Sequence, residues 1–297
     1  MDYIETVRRA FKIALKNKFL WIFGILIGGS ASVTGFNLNS PSYQTGSADM
    51  EKYIESISPD QIVAFFDKYA LLILSLMLFF LLLSVLFFIL NVISQGALVA
   101  SVARISKGES VNFKSAFSIG AHNFFRIWGV SILYFLMILA SILVLVIPII
   151  ALSIGHLYAL AIIWGILIFF VCLAFWILIS LIAPYSLQVV VLKKLDIWES
   201  IRDSLHFFRK NWTSVVIMYL LLMAIGIGFS LAVGLAAILV FAILFAIGYA
   251  IWLASIIAAI AYAIMASIFI LAALIIIGGA YKTFCSAAIT LTYEQLR

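Results

Sequence analysis

Asn91 and Gln95 lie four residues apart with Ser94 between them, so on a helix the two amides share one face. Gln188 is a second amide set in a long apolar stretch. Amides in such surroundings line a small polar cavity or hydrogen-bond a neighbouring helix, and the sequence favours the second use. His122, His156 and His206 are isolated, and none has zinc-ligand spacing. Cys172 and Cys285 sit among apolar residues and read as buried, reduced thiols. No serine–histidine–acid set, phosphate-cradling glycine loop or pair of carboxylates in an apolar run stands out. Gly226–Gly228 and Gly278–Gly279 read as places where helices approach closely. No catalytic residue, metal or cofactor is expected, and the chain is not expected to be an enzyme.

The elements that must carry these groups follow from composition. Of 297 residues, 66% are hydrophobic and 10% charged, where a soluble domain has about a quarter charged. No Asp, Glu, Lys or Arg occurs in Phe19–Ala48, Tyr69–Ala103, Ile127–Leu192 or Asn211–Tyr281. One helical span takes roughly 20 apolar residues. The first two runs therefore hold one span each and the last two hold two each, which predicts six. The expected fold is all-α: a single polytopic membrane domain over 1–297. The first run is read as a retained span rather than a cleaved signal peptide. Charge inside spans, which ion- or proton-coupled carriers need, is essentially absent. A pore using backbone carbonyls stays open.

Charge placement predicts orientation. Basic residues cluster at Arg8, Arg9, Lys12, Lys16 and Lys18, at Arg104, Lys107, Lys114 and Arg126, and at Lys193, Lys194, Arg202, Arg209 and Lys210. The polar segment 37–68 instead carries Asp49, Glu51, Glu55, Asp60 and Asp67 against Lys52 and Lys68. Six spans put every basic cluster on one face and the acidic loop on the other. The positive-inside rule then makes both termini cytoplasmic, in the cell membrane. Orientation accounts for the basic charge, and no nucleic-acid partner is expected.

The basic segments before the first, third and fifth spans match one another. Glu5–Phe11 is followed by Asn17, Phe113–Phe117 by Asn123, and Glu199–Leu205 by Asn211, which makes Arg8, Lys114 and Arg202 equivalent. Ile4, Val7, Phe11 and Ala14 show the spacing of one apolar helix face, with the basic groups expected opposite. Asp2 with Glu5, and Asp196 with Glu199, have the spacing of reciprocal helix caps. Three repeats follow, about 2–107, 108–195 and 196–297, each an interfacial helix and two spans. The even-numbered spans are expected to tilt, project beyond the bilayer, or break near Gly96, Pro184 and Gly278–Gly279. Outer turns are expected near 148–156 and near Gly248. Trp21, Trp128, Trp198, Trp212 and Tyr293 suit an interfacial aromatic belt.

This layout, together with the ending Thr290-Leu291-Thr292-Tyr293-Glu294-Gln295-Leu296-Arg297, resembles a group of prokaryotic membrane proteins labelled as the membrane domain of glycerophosphoryl diester phosphodiesterase. In the enzymes that give the label, a catalytic barrel follows that domain. The present sequence ends at Arg297 without the barrel's acidic metal-binding motifs, so the resemblance implies the membrane fold without the activity.

The resulting expectation is a membrane- or envelope-organising component that contacts lipids, anionic ones in particular. Arg8, Arg9, Lys12, Lys114, Arg202, Arg209 and Lys210 would meet headgroups. Asn91, Gln95 and Gln188 are the intramembrane polar groups. The alternative is a transporter or pore subunit for an apolar or amphipathic solute, suggested by the expected breaks.

Overall fold

A computed structural model describes residues 2–28 and 59–297, with side chains from residue 67 in the second stretch. Among the described residues the chain is helical: α1 (Tyr3–Lys16), α2 (Leu20–Gly28), α3 (Pro59–Ser106), α4 (Phe113–His122), α5 (Phe124–Ile154), α6 (Tyr158–Lys193), α7 (Ile197–Ala254) and α8 (Ile256–Leu296). The last four long helices and the Asp67–Ser106 part of α3 are each long and apolar enough to cross a membrane, which makes five. α2 is described for nine residues. The acidic part of segment 37–68 up to residue 58, and the first run beyond Gly28, lie outside the described residues.

Each basic segment ends at its asparagine. The Nδ2 of Asn17 donates to the Ile13 carbonyl at 3.0 Å, that of Asn123 to Ile119 at 2.9 Å, and that of Asn211 to Phe207 at 3.3 Å. An asparagine bonded four residues back competes with the helix ladder and turns the chain. α1 stops at Asn17 and α4 at Asn123. α7 bends at Asn211 (φ −122°, ψ 26°) and then continues as a span. Asp2 Oδ1 caps α1 by accepting from the Glu5 amide at 3.0 Å.

The packed core lies at the end of the molecule where the basic residues gather. Ala10, Leu20, Phe23, Leu98, Met218, Phe284 and Ala287 form one cluster there, and Ile127, Val130, Ile179 and Val190 form a second. Away from that end the helices are apolar yet exposed: Leu71 is 84% and Ile257 78% exposed. Surface of this kind is stable only against lipid, where helices satisfy their own backbone groups.

α5 and α6 form a hairpin whose turn is Gly155–Leu157, with His156 at φ 56° and its Nδ1 3.1 Å from the Tyr158 hydroxyl. The α7–α8 turn falls at Ser255 (φ −161°), whose Oγ accepts from the Ala258 amide at 3.4 Å. The turn expected near Gly248 is therefore displaced. Gly248 sits inside α7 against the Tyr262 ring, and that tyrosine donates to the Leu244 carbonyl at 3.2 Å. The expected breaks at Gly96, Pro184 and Gly278–Gly279 also give way to continuous helices in α3, α6 and α8. At Gly96 and Gly279 the missing Cβ serves packing instead: Gly96 faces Gly120 of α4, and Gly279 faces the backbone of α2.

A buried hydroxyl chain ties α5, α6 and α7 together. Tyr134 Oη lies 2.6 Å from Ser186 Oγ, which lies 2.7 Å from Ser204 Oγ. Ser186→Ala should lower stability by about 1–2 kcal/mol, because it strands the Tyr134 hydroxyl among apolar groups. Adding Tyr134→Phe should recover part of that loss, read as melting temperature in detergent.

Candidate functional site

α1 packs through its small residues. Thr6, Ala10 and Ala14 are buried, spaced four apart, and let the helix lie close to α8. The Thr6 hydroxyl hydrogen-bonds the Asp2 carbonyl at 2.8 Å and Gln295 Oε1 at 3.0 Å. Trp21 Nε1 donates to the Ala14 carbonyl at 2.8 Å and fixes the corner between α1 and α2.

With that stripe buried, Ile4, Arg8, Phe11 and Leu15 form an adjoining, exposed face. They line one wall of a groove of about 630 Å³. Ile225 and Phe229 of α7 and Ile277, Tyr281 and Phe284 of α8 line the other walls. Phe229 stacks on Tyr281 at 4.7 Å and 10°, and Phe11 meets Phe284 edge-on at 6.2 Å. Gly226 makes room for the Tyr281 hydroxyl. Arg8 is the one charged residue lining the groove. The expectation that basic groups stand opposite the large apolar residues of α1 is corrected for Arg8, which shares a face with Ile4, Phe11 and Leu15. Arg9 pairs with Glu5 at 2.5 Å, whereas Arg8 has no acidic partner among the described residues. An apolar trough with one uncommitted guanidinium suits an acyl chain below an anionic headgroup.

The other candidate residues are spread over the same end. Lys12, Lys114, Arg202 and Arg209 are exposed. Lys210 lines a small recess of about 110 Å³ with His206, Asp203 and Tyr293. Asn91 Nδ2 donates to the Leu26 and Ile27 carbonyls at 3.0 and 3.3 Å, and its Oδ1 accepts from Gln95 Nε2 at 2.7 Å. These amides join α3 to α2, the interhelical use that the sequence favoured. Gln188 is buried with its Oε1 unpartnered among the described residues. Tyr293 is 1% exposed between Tyr185, Phe207 and the end of α8, so it is a core residue rather than part of an aromatic belt. Cys172 is buried, and its thiol lies 3.5 Å from the Ser141 carbonyl.

Sequence reasoning missed the Ser186–Ser204 contact and the bond from Lys193 to Asp203 at 2.6 Å. The i, i+4 pair Ser200 and Ser204, set among apolar residues of α7, was the signal that could have found the first.

Long apolar helices exposed over their outer lengths define an all-α membrane protein, and an apolar groove lined by Arg8 is the feature of its basic end with the clearest chemistry. The chain belongs to the family of unknown function DUF7544, whose model matches residues 12–294. No curated protein and no solved structure matches it. The family match carries no link to the membrane domain of glycerophosphoryl diester phosphodiesterase.

Proposed function

We propose that this protein is a non-enzymatic, multi-pass component of the cell membrane that holds anionic lipid at a basic cytoplasmic end. The carrying observation is the apolar groove with Arg8 on its lining face. In this reading α2 is the described part of a first span, giving six, and both termini are cytoplasmic. The three asparagine-terminated basic segments support three repeats over 2–107, 108–195 and 196–297. α3, α6 and α8 run as continuous helices through the expected break points, which supports this reading over a transporter or pore.

Purification from native membranes followed by mass spectrometry tests the reading. Anionic phospholipid should be retained over zwitterionic lipid, and Arg8→Gln should lower that retention about three- to tenfold. Equal retention of the two classes, or no change in Arg8→Gln, would overturn it.

A further inference from the structure

A second recess opens at the basic end, with a volume of about 430 Å³ and no lining residue in common with the groove. Three strands of observation converge on it. Arg104 of α3, Lys107 just beyond it, Lys194 at the end of α6 and His122 of α4 all line it. The one carboxylate lining it is Glu109, 3.6 Å from Arg104, while Lys107 faces Glu294 at 3.9 Å. Both pairs are long, and the Arg104, Lys107 and Glu109 side chains are exposed, so the two cations are held weakly and stay available to an anion, while Glu294 is held by Ser106. Lys194 has no ion pair or hydrogen bond among the described residues.

Lys194 is also held in the left-handed region, at φ 56° and ψ 29°. Glycine is the residue that ordinarily closes a helix in this conformation. A lysine there is strained, and strain of this kind persists where the side chain has a use. Here the strained residue is one of the lining cations.

The third observation is Asn123. It is 2% exposed and lines the recess. Its Nδ2 is committed to the Ile119 carbonyl, and its Oδ1 has no partner among the described residues. A buried amide oxygen needs a donor. A fully ionised phosphate offers none, whereas a hydroxyl does.

We infer that this recess binds a small organic phosphate that carries a free hydroxyl. The phosphate meets Arg104, Lys107 and Lys194, and the hydroxyl donates to Asn123 Oδ1. The same chemistry is offered by a soluble sugar phosphate and by the headgroup of a lipid such as phosphatidylglycerol.

Calorimetric titration of the purified full chain in zwitterionic detergent distinguishes these sources. The probes are ribose 5-phosphate, ribose, methyl phosphate and dihexanoyl phosphatidylglycerol. Saturable binding of ribose 5-phosphate, about tenfold tighter than ribose or methyl phosphate, is expected for a soluble ligand. Saturation by the short-chain lipid alone, with Arg8→Gln unaffected, assigns the recess to a headgroup and separates it from the groove.

Lys194→Gly is the decisive variant. It relieves the backbone, so its melting temperature should equal or exceed that of the parent, while affinity falls about tenfold. The inference is overturned if no probe saturates, if methyl phosphate binds as tightly as the hydroxyl-bearing phosphates, or if Lys194→Gly binds like the parent.

Discussion

Gly279→Leu is expected to abolish accumulation of folded protein. α2 and α8 cross at Gly24 and Gly279 with backbone against backbone. A Cβ on Gly279 would press on the Ile25 side chain, lie 2.9 Å from the Ile25 amide nitrogen and 3.0 Å from the Trp21 carbonyl oxygen. A Cβ on Gly24 would run into the Gly279 carbonyl and the Thr283 hydroxyl. No rotamer change relieves contacts made by main-chain atoms. Thr283 marks how close the approach is, donating to the Leu20 carbonyl at 3.1 Å and to Gly279 at 2.9 Å. Forcing the helices apart would open the cluster around Leu20, Phe23 and Phe284, at about 4 kcal/mol or more. Size-exclusion chromatography of detergent-solubilised membranes checks this: aggregated or absent material is expected. Gly228→Ala is the matched control. Nothing lies within 4 Å of its would-be Cβ, so that variant should behave like the parent or gain about 0.5–1 kcal/mol.

Asn91→Leu should have the second largest effect, a loss of about 1–3 kcal/mol. Its amide reaches two carbonyls of α2 and accepts from Gln95, so one substitution removes three contacts between or along helices. The Gln95 amide is then left facing a leucine. Asn91→Leu with Gln95→Leu should be milder than Asn91→Leu alone, because no stranded donor remains. Melting temperatures of the three variants decide this, and a double variant worse than the single would show that Gln95 has another partner.

The long charge-free runs made the five long helices and their apolar character readable from the sequence. The three asparagines were visible as a repeat, but that each ends or bends its helix is seen only in the structure. What depended on neighbours was harder to read. In α1, two stripes overlap on the helix surface. Ile4 and Phe11 marked the apolar face of an interfacial helix, but the face that packs on protein is that of Thr6, Ala10 and Ala14, which are small enough to seat the helix on α8. That choice placed Arg8 beside the groove rather than away from it. Tyr293 looked like a membrane-boundary ring for a similar reason, since nothing local reveals that Phe207 and Tyr185 will enclose it. Gly96 and Gly279 could be read equally as bends or contacts, and only the partner helix decides between them. The recess around Lys194 was beyond sequence reading, because α3, α4 and α6 bring its cations together from separate basic clusters.

The position of α8 has a consequence for biosynthesis. Thr283 bonds Leu20 across 263 residues, and Gln295 accepts from Thr6 across 289. α1 and α2 thus find part of their packing in α8, a helix made long after them. α1 lacks that partner until then, although α3 already reaches α2 through Asn91, and Arg8 has only half its groove until α7 and α8 arrive. This end of the molecule therefore closes only after α8 is made, however early the α5–α6 hairpin inserts. A nascent chain stalled before Gly279 would hold an unclosed N-terminal pair, a form that membrane quality control could recognise by the exposed Gly24 face.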